Sequence, residues 1–170
     1  MGRAAVKMAV EFNNHAAPAY VAQAKGWFEE AGIESAAYES YVTGIALASA
    51  MARGDIQVAF MCLVPAITAY ANAQVPVRII AGTHRYGYGL VADPRRIKAV
   101  EDAQDRNIRI GFVREGGTTD VFLQRVIDRY RLERERVLPK IRRMTPPKQV
   151  LAVRLGQLDV AVLPEHHALN

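Results

Sequence analysis

The sequence carries an internal repeat: the pattern around residues 6–62 returns around residues 108–164 at a constant offset of 102, with no gap. Val6-Lys7-Met8-Ala9-Val10 aligns with Ile108-Arg109-Ile110-Gly111-Phe112, Thr43 with Thr145, Ala50 with Ala152, and Gly54-Asp55-Ile56-Gln57-Val58-Ala59 with Gly156-Gln157-Leu158-Asp159-Val160-Ala161. Identities are few and alanine inflates them. Strand-like, helix-like and glycine positions nevertheless hold one register, which local propensity alone does not enforce. The repeat predicts two similar α/β lobes, residues 1–85 and 86–170. Two such lobes in one chain usually face each other across a cleft.

Hydrophobic periodicity fills in the elements. Residues 4–12 read as a strand, and Pro18 opens a helix whose apolar face runs Tyr20, Val21, Ala24, Trp27, Phe28 and Ala31, capped by Gly32. On that face Trp27 and Phe28 are core. Strands are expected at Ile33–Tyr41, Ile56–Phe60 and Val77–Ala81, separated by a helix from Thr43-Gly44 to Gly54 and another opened by Pro65. This β-α-β-α-β order favours a parallel sheet covered by helices, with ligands beyond the carboxyl ends of the strands. Gly82-Thr83-His84-Arg85-Tyr86-Gly87-Tyr88-Gly89 breaks the rhythm and marks a crossing between lobes. The second lobe then has an extended Leu90–Ala92, strand Ile108–Val113, a helix from Thr118, strand Val137–Met144, a helix opened by Pro146-Pro147, and strand Leu158–Leu163.

Composition narrows the function classes. With 51% hydrophobic and 23% charged residues the chain is a packed globular protein, and its net charge of +5 suits an anionic partner. The basic cluster from Arg125 to Arg154 is interleaved with Asp128, Glu133 and Glu135, the pattern of a solvated face. No recognition motif or aromatic stacking pattern accompanies it, so nucleic acid is not the expected partner. A single cysteine, Cys62, excludes an intramolecular disulfide and is expected to exclude any cysteine-based metal site. There is neither a membrane-spanning apolar run nor a signal-peptide h-region at the start.

The candidate ligand contacts lie in the strand-to-helix loops. His15, with Asn13 beside it, precedes a helix N-terminus whose amides carry partial positive charge. Thr43-Gly44 offers a capping hydroxyl and a glycine that admits a ligand oxygen to the backbone, though a plain N-cap is an equal reading. Gly116-Gly117-Thr118-Thr119 repeats the device in the second lobe and suits an anionic group, but no lysine follows as a P-loop requires. Met61 and Cys62 follow a strand on the same side; Cys62 lacks a recognisable catalytic partner and reads as a small buried hydrophobe. His84 lies in the glycine-rich crossing, where Tyr86 and Tyr88 either close over a ligand or pack the hinge. His166 and His167, in an extended segment, would point to opposite sides, leaving Glu165 as the contact there.

Three segments together resemble a known family. They are His15-Ala16-Ala17-Pro18-Ala19-Tyr20-Val21-Ala22-Gln23-Ala24-Lys25-Gly26-Trp27-Phe28, Met51-Ala52-Arg53-Gly54-Asp55-Ile56-Gln57-Val58-Ala59, and Gly116-Gly117-Thr118-Thr119. With Leu163-Pro164-Glu165 at the expected second crossing, the chain resembles the nitrate, sulfonate, taurine and thiamine-precursor substrate-binding proteins of ABC importers. The resemblance implies a two-lobed α/β periplasmic-binding-protein type II fold closing by a hinge on a small anionic or zwitterionic solute, delivered to an ABC permease and its ATPase. It implies no catalysis, no cofactor and no metal, and a location outside the cytoplasmic membrane. Members of the family run on past residue 170, crossing back to complete the first lobe. A truncated product, or a dimer whose partner copy fills the incomplete first lobe, is therefore expected. Rival readings are a pyridoxal-phosphate enzyme of the thiamine-pyrimidine pathway using His15, which lacks that group's cysteine-rich motif here; an effector-binding domain like that of LysR-type regulators, whose DNA-binding domain does not precede Val6; and a remnant that binds nothing.

Overall fold

The computed structural model describes residues 4–35 and 38–168. The chain folds as two compact units, Met1–Arg85 and Tyr86–Asn170.

The first unit runs β1 (Ala4–Val6), β2 (Met8–Glu11), α1 (Ala17–Ala24), α2 (Trp27–Glu30), β3 (Ile33–Ser35), β4 (Glu39–Tyr41), α3 (Gly44–Ala52), β5 (Val58–Phe60) and α4 (Leu63–Ala73). Strands β4-β2-β5 form a parallel sheet with Ala9 opposite Glu39 and Ala59, while β1 and β3 pair separately, also in parallel. All four residues of β2 are buried, as the central strand of a covered parallel sheet requires. Ala9 packs with Leu47, Ala50 and Ile56 on one side, and Val10 with Ala16 and Ala19 on the other.

Three expectations for this unit change. The strand predicted over residues 4–12 is two strands broken at Lys7, whose carbonyl accepts the Gln57 and Val58 amides at 3.0 and 3.2 Å and so ties the break to the turn before β5. The predicted helix from Pro18 to Ala31 is also two segments, because Gly26 adopts a left-handed φ of 72° that turns the chain between α1 and α2. The apolar face does not continue across that turn, and Trp27, read as core, is 52% exposed. Val77–Ala81 forms no strand: the segment makes no ladder among the described residues, and Ile79 and Ile80 stand exposed. Residues 36 and 37 of the predicted strand Ile33–Tyr41, and 169 and 170 of the second crossing, lie outside the described residues.

The second unit contains β6 (Tyr88–Ala92), β7 (Ile110–Phe112), α5 (Thr118–Arg129), α6 (Arg134–Val137), β8 (Ile141–Arg143), α7 (Pro146–Arg154), β9 (Val160–Pro164) and α8 (Glu165–Ala168). Its sheet has the order β6-β9-β7-β8, parallel except for β6 at the edge. The core gathers Ile108, Ile110, Phe112, Leu123, Ile127, Val137, Val160 and Val162. Gly111 lets β7 lie against this packing, since a Cβ there would come within 2.6 Å of Leu158 Cδ1 and 2.9 Å of Gln149 Oε1. The strand predicted from Val137 shortens to Ile141–Arg143. Val137 instead closes a helical turn, and Pro139, which has no N–H for a ladder, sits in the single 3₁₀ turn that follows.

The repeat survives in the architecture. Helices α3 and α7 begin at 44 and 146 and end at 52 and 154, and strands β4 and β8 begin at 39 and 141 and end at 41 and 143, an offset of 102 in every case. Much of the basic cluster is the solvated face it was read as: Arg134 pairs with Asp128, Arg136 with Glu133, and Arg143 with Glu115.

Candidate functional site

The chemically dense part of the first unit lies at the carboxyl end of its parallel sheet. Strand β2 ends at Glu11. After it, Asn13 accepts the Asn14 amide on its Oδ1 at 2.7 Å and so starts a 3₁₀ turn, Asn14–Ala16, that points His15 inward. Strand β5 ends at Phe60, and two residues later Cys62 takes the N-cap position of α4. The chain thus delivers a carboxylate, an imidazole and a thiol to one place. His15 is 2% exposed and Glu11 and Cys62 are each 7% exposed.

Their geometry is close. His15 Nε2 lies 3.1 Å from Glu11 Oε2, without the alignment of a hydrogen bond, and Nδ1 lies 3.9 Å from Cys62 Sγ. Glu11 Oε2 accepts the Cys62 backbone N–H at 3.0 Å. Burial pushes the Glu11 carboxyl upward, but contact with His15 and the Cys62 amide outweigh it, and the group sits below the usual carboxylate range. Glu11 is therefore ionised at neutral pH. Its carboxylate also fills the space beside Gly44, where a Cβ would come within 2.8 Å of Oε2 and 3.0 Å of Pro65 Cγ. In this unit the N-terminus of α4 is thus already addressed by the protein's own carboxylate, which also lies beside the start of α3.

Other expected contacts fall around this group. The Thr43 hydroxyl caps α3 by accepting the Ala46 amide at 3.3 Å, and Gly44 is buried at the first turn. Met61 packs partly buried against the Ala9–Leu47 cluster. His84 is exposed, its ring stacked on His15 with centroids 5.6 Å apart.

In the second unit, Gly116 has a left-handed φ of 74° and its amide donates to Asp120 Oδ2 at 3.0 Å, while Gly117 occupies the N-cap of α5. Thr119 is buried and its hydroxyl accepts the Val113 amide at 3.2 Å, tying the end of β7 to the helix. Thr118 Oγ1 is buried without a hydrogen-bond partner among the described residues. Glu165 is exposed at the start of α8, its amide donating to Gly87 O at 2.9 Å. His166 and His167 do not point to opposite sides: the segment is helical, and their rings lie 4.1 Å apart. A cavity of about 250 Å³ in this unit is walled by Leu90, Ile97, Ile110, Leu123, Leu132 and other apolar core residues, and holds no convergent polar groups.

Sequence reasoning missed Glu11 and the partner of Cys62. The repeat holds the signal: at the offset of 102, Glu11, His15 and Cys62 correspond to Val113, Gly117 and Pro164, so the first repeat alone carries reactive groups there. The expectation that one cysteine excludes any cysteine-based metal site holds only for sets of several cysteines; a mixed set such as Glu11, His15 and Cys62 needs one.

Family membership follows from the whole chain, because the model of the NMT1-like family matches residues 2–169. The chain belongs to the NMT1-like family. No curated protein sequence matches this NMT1-like chain. Its fold is that of periplasmic binding proteins. The aliphatic sulphonate binding protein SsuA from Escherichia coli superimposes with a TM-score of 0.69 at 16% identity, covering 96% of this chain and 55% of that one. The nitrate-binding protein NrtA from Synechocystis PCC 6803 gives 0.72 at 15%, covering 95% and 46%. PhnD1 from Prochlorococcus marinus in complex with methylphosphonate gives 0.70 at 14%, covering 95% and 64%. The NMT1-like chain thus spans about half to two thirds of these proteins, and at such identities the likeness is one of fold. Among its described residues no helix is long and apolar enough to cross a membrane.

Proposed function

We propose that the chain is the solute-binding component of an ABC importer, working outside the cytoplasmic membrane and without catalysis, and that its solute is a small zwitterion of the taurine type. The observation that carries the solute class is the ionised, buried Glu11 beside His15. A simple anion brought to that place meets an existing negative charge at short range. A solute that carries an amine beside its sulfonate or similar group gains a partner there. The amine is taken by Glu11, with the His15 imidazole beside it. Permease and ATPase subunits are the corresponding protein partners.

Taurine is expected to bind with one-to-one stoichiometry, and nitrate at least about tenfold more weakly. His15→Ala and Glu11→Gln are each expected to weaken taurine by about tenfold or more, as loss of a buried polar contact does. Isothermal titration of the purified chain, the two variants and the double variant measures these affinities. Unchanged taurine affinity in the double variant overturns this site assignment.

A further inference from the structure

We propose that Glu11, His15 and Cys62 form a binding site for a divalent cation of the zinc class. One ligand atom from each residue lies within 4.8 Å of the other two, and all three side chains are buried. A tetrahedral zinc ion with bonds of about 2.0–2.3 Å spaces its donors about 3.3–3.8 Å apart. His15 serves one ion through one ring nitrogen: Nε2 lies 3.1 Å from Glu11 Oε2, and with all three ligand atoms within 4.8 Å of one another, side-chain rotations have to draw the set in by about 1 Å to reach that spacing.

Donor chemistry selects the ion. Thiolate with imidazole and carboxylate is a borderline-soft set, which favours zinc over calcium or magnesium with their all-oxygen shells. The thiolate and the carboxylate together neutralise a divalent charge, so the loaded cluster carries no net charge into a buried place. The sulfur belongs to the N-cap residue of an eleven-residue helix.

Three further features point the same way. His15 is almost wholly buried, yet its Nε2 has no aligned hydrogen-bond partner, an arrangement that a metal bond resolves. The Cys62 amide holds the Glu11 carboxylate in place, as outer-shell partners of metal ligands do. Gly44 leaves the room that this carboxylate occupies. Nor is the cluster a by-product of the repeated fold, because the second unit has Val113, Gly117 and Pro164 at the matching positions. Three protein donors leave one tetrahedral position for water or a solute atom. Glu11 serves either the ion or a solute amine, and because the probes contain no solute the metal site stands or falls apart from the solute reading.

The test is titration of the reduced, metal-free chain with Co²⁺, followed by displacement with Zn²⁺ against a chromophoric chelator. One equivalent of Co²⁺ is expected to produce a thiolate-to-cobalt charge-transfer band in the near ultraviolet and intense visible bands of a tetrahedral ion, both erased by Zn²⁺. Cys62→Ser is expected to lose the charge-transfer band, and Glu11→Gln and His15→Gln to weaken Zn²⁺ by about tenfold or more. The wild-type spectrum decides the matter even if a variant fails to fold. Absence of the charge-transfer band in the wild-type chain, or one-equivalent Zn²⁺ binding unchanged in folded Cys62→Ser, overturns the proposal.

Discussion

Phe112→Ala is expected to lower the stability of the second unit by about 4 kcal/mol, within the range measured for truncating a buried aromatic. Phe112 is the largest of the fully buried side chains, and its ring joins β7 to Leu123 and Ile127 of α5 and to Val160 and Val162 of β9. The variant leaves a cavity at the meeting point of these elements. Those walls belong to a central strand on both sides, so they cannot collapse far without breaking the ladder between β7 and β9. The effect reaches function as well. The residue after Phe112, Val113, donates its amide to Thr119, and the Phe112 carbonyl accepts the Met144 amide at 2.9 Å, so the loop that presents Gly117 and Thr118 hangs from this strand end. Urea unfolding followed by circular dichroism measures the loss. A change below about 1 kcal/mol contradicts the packing described for this unit.

The second large effect is electrostatic. Asp159→Asn is expected to cost about 3 kcal/mol, the lower end of what removing one partner of a buried ion pair costs, because Arg96 and Arg109 still reach water. Asp159 is 1% exposed. It accepts the Arg109 amide at 2.8 Å, the Arg109 guanidinium at 2.9 Å, and Arg96 Nη1 at 2.8 Å. An asparagine of the same shape carries no charge and turns an N–H₂ toward these donors. The hydrogen bonds from Arg109 hold the Asp159 carboxyl below its ordinary value of 3.8. With the folded pKa depressed, the stabilisation is fully present above the unfolded value and is lost as pH falls through the folded one. Wild type is thus expected to lose stability below about pH 4, and the variant to lose less, so that the two converge in acid. Asp93, held at about 2 mainly by hydrogen bonds from Arg95, adds to the acid sensitivity of both proteins between about pH 4 and 2. A pH series of thermal melts reads the convergence. Parallel curves down to pH 2 contradict the role given to Asp159.

The legible part of the fold is the part that the repeat enforces. Helices α3 and α7 were readable to within a residue or two because Thr43 with Gly44, and Pro146, mark their starts while Gly54 and Gly156 mark their ends. The misread parts are those where a local conformation overrides periodicity. Gly26 sits inside an unbroken apolar pattern, and nothing in that pattern announces a left-handed turn. Val77–Ala81 has strand composition, but a strand exists only where a neighbour supplies a ladder, and composition does not reveal the neighbour.

The site divides in the same way. His15, Cys62 and the Gly116–Thr119 loop stand out in the sequence because they follow strands and precede helices. Glu11 was overlooked because, as the last residue of a buried strand, it reads as the point where polar sequence resumes. Cys62 lies 51 positions along the chain, and the parallel pairing of β2 with β5 brings it to Glu11. No local pattern encodes that contact.

The most direct measurement is a thermal-shift series of the purified chain with taurine, ethanesulfonate, methylphosphonate, nitrate and the pyrimidine precursors of thiamine. At about one hundred times its dissociation constant a bound solute adds roughly 2.7 kcal/mol to the folded state, a rise in melting temperature of a few degrees. The account predicts a saturable shift that is largest for taurine and small for nitrate. A cooperative melt that none of these solutes moves contradicts a solute-binding role for this chain.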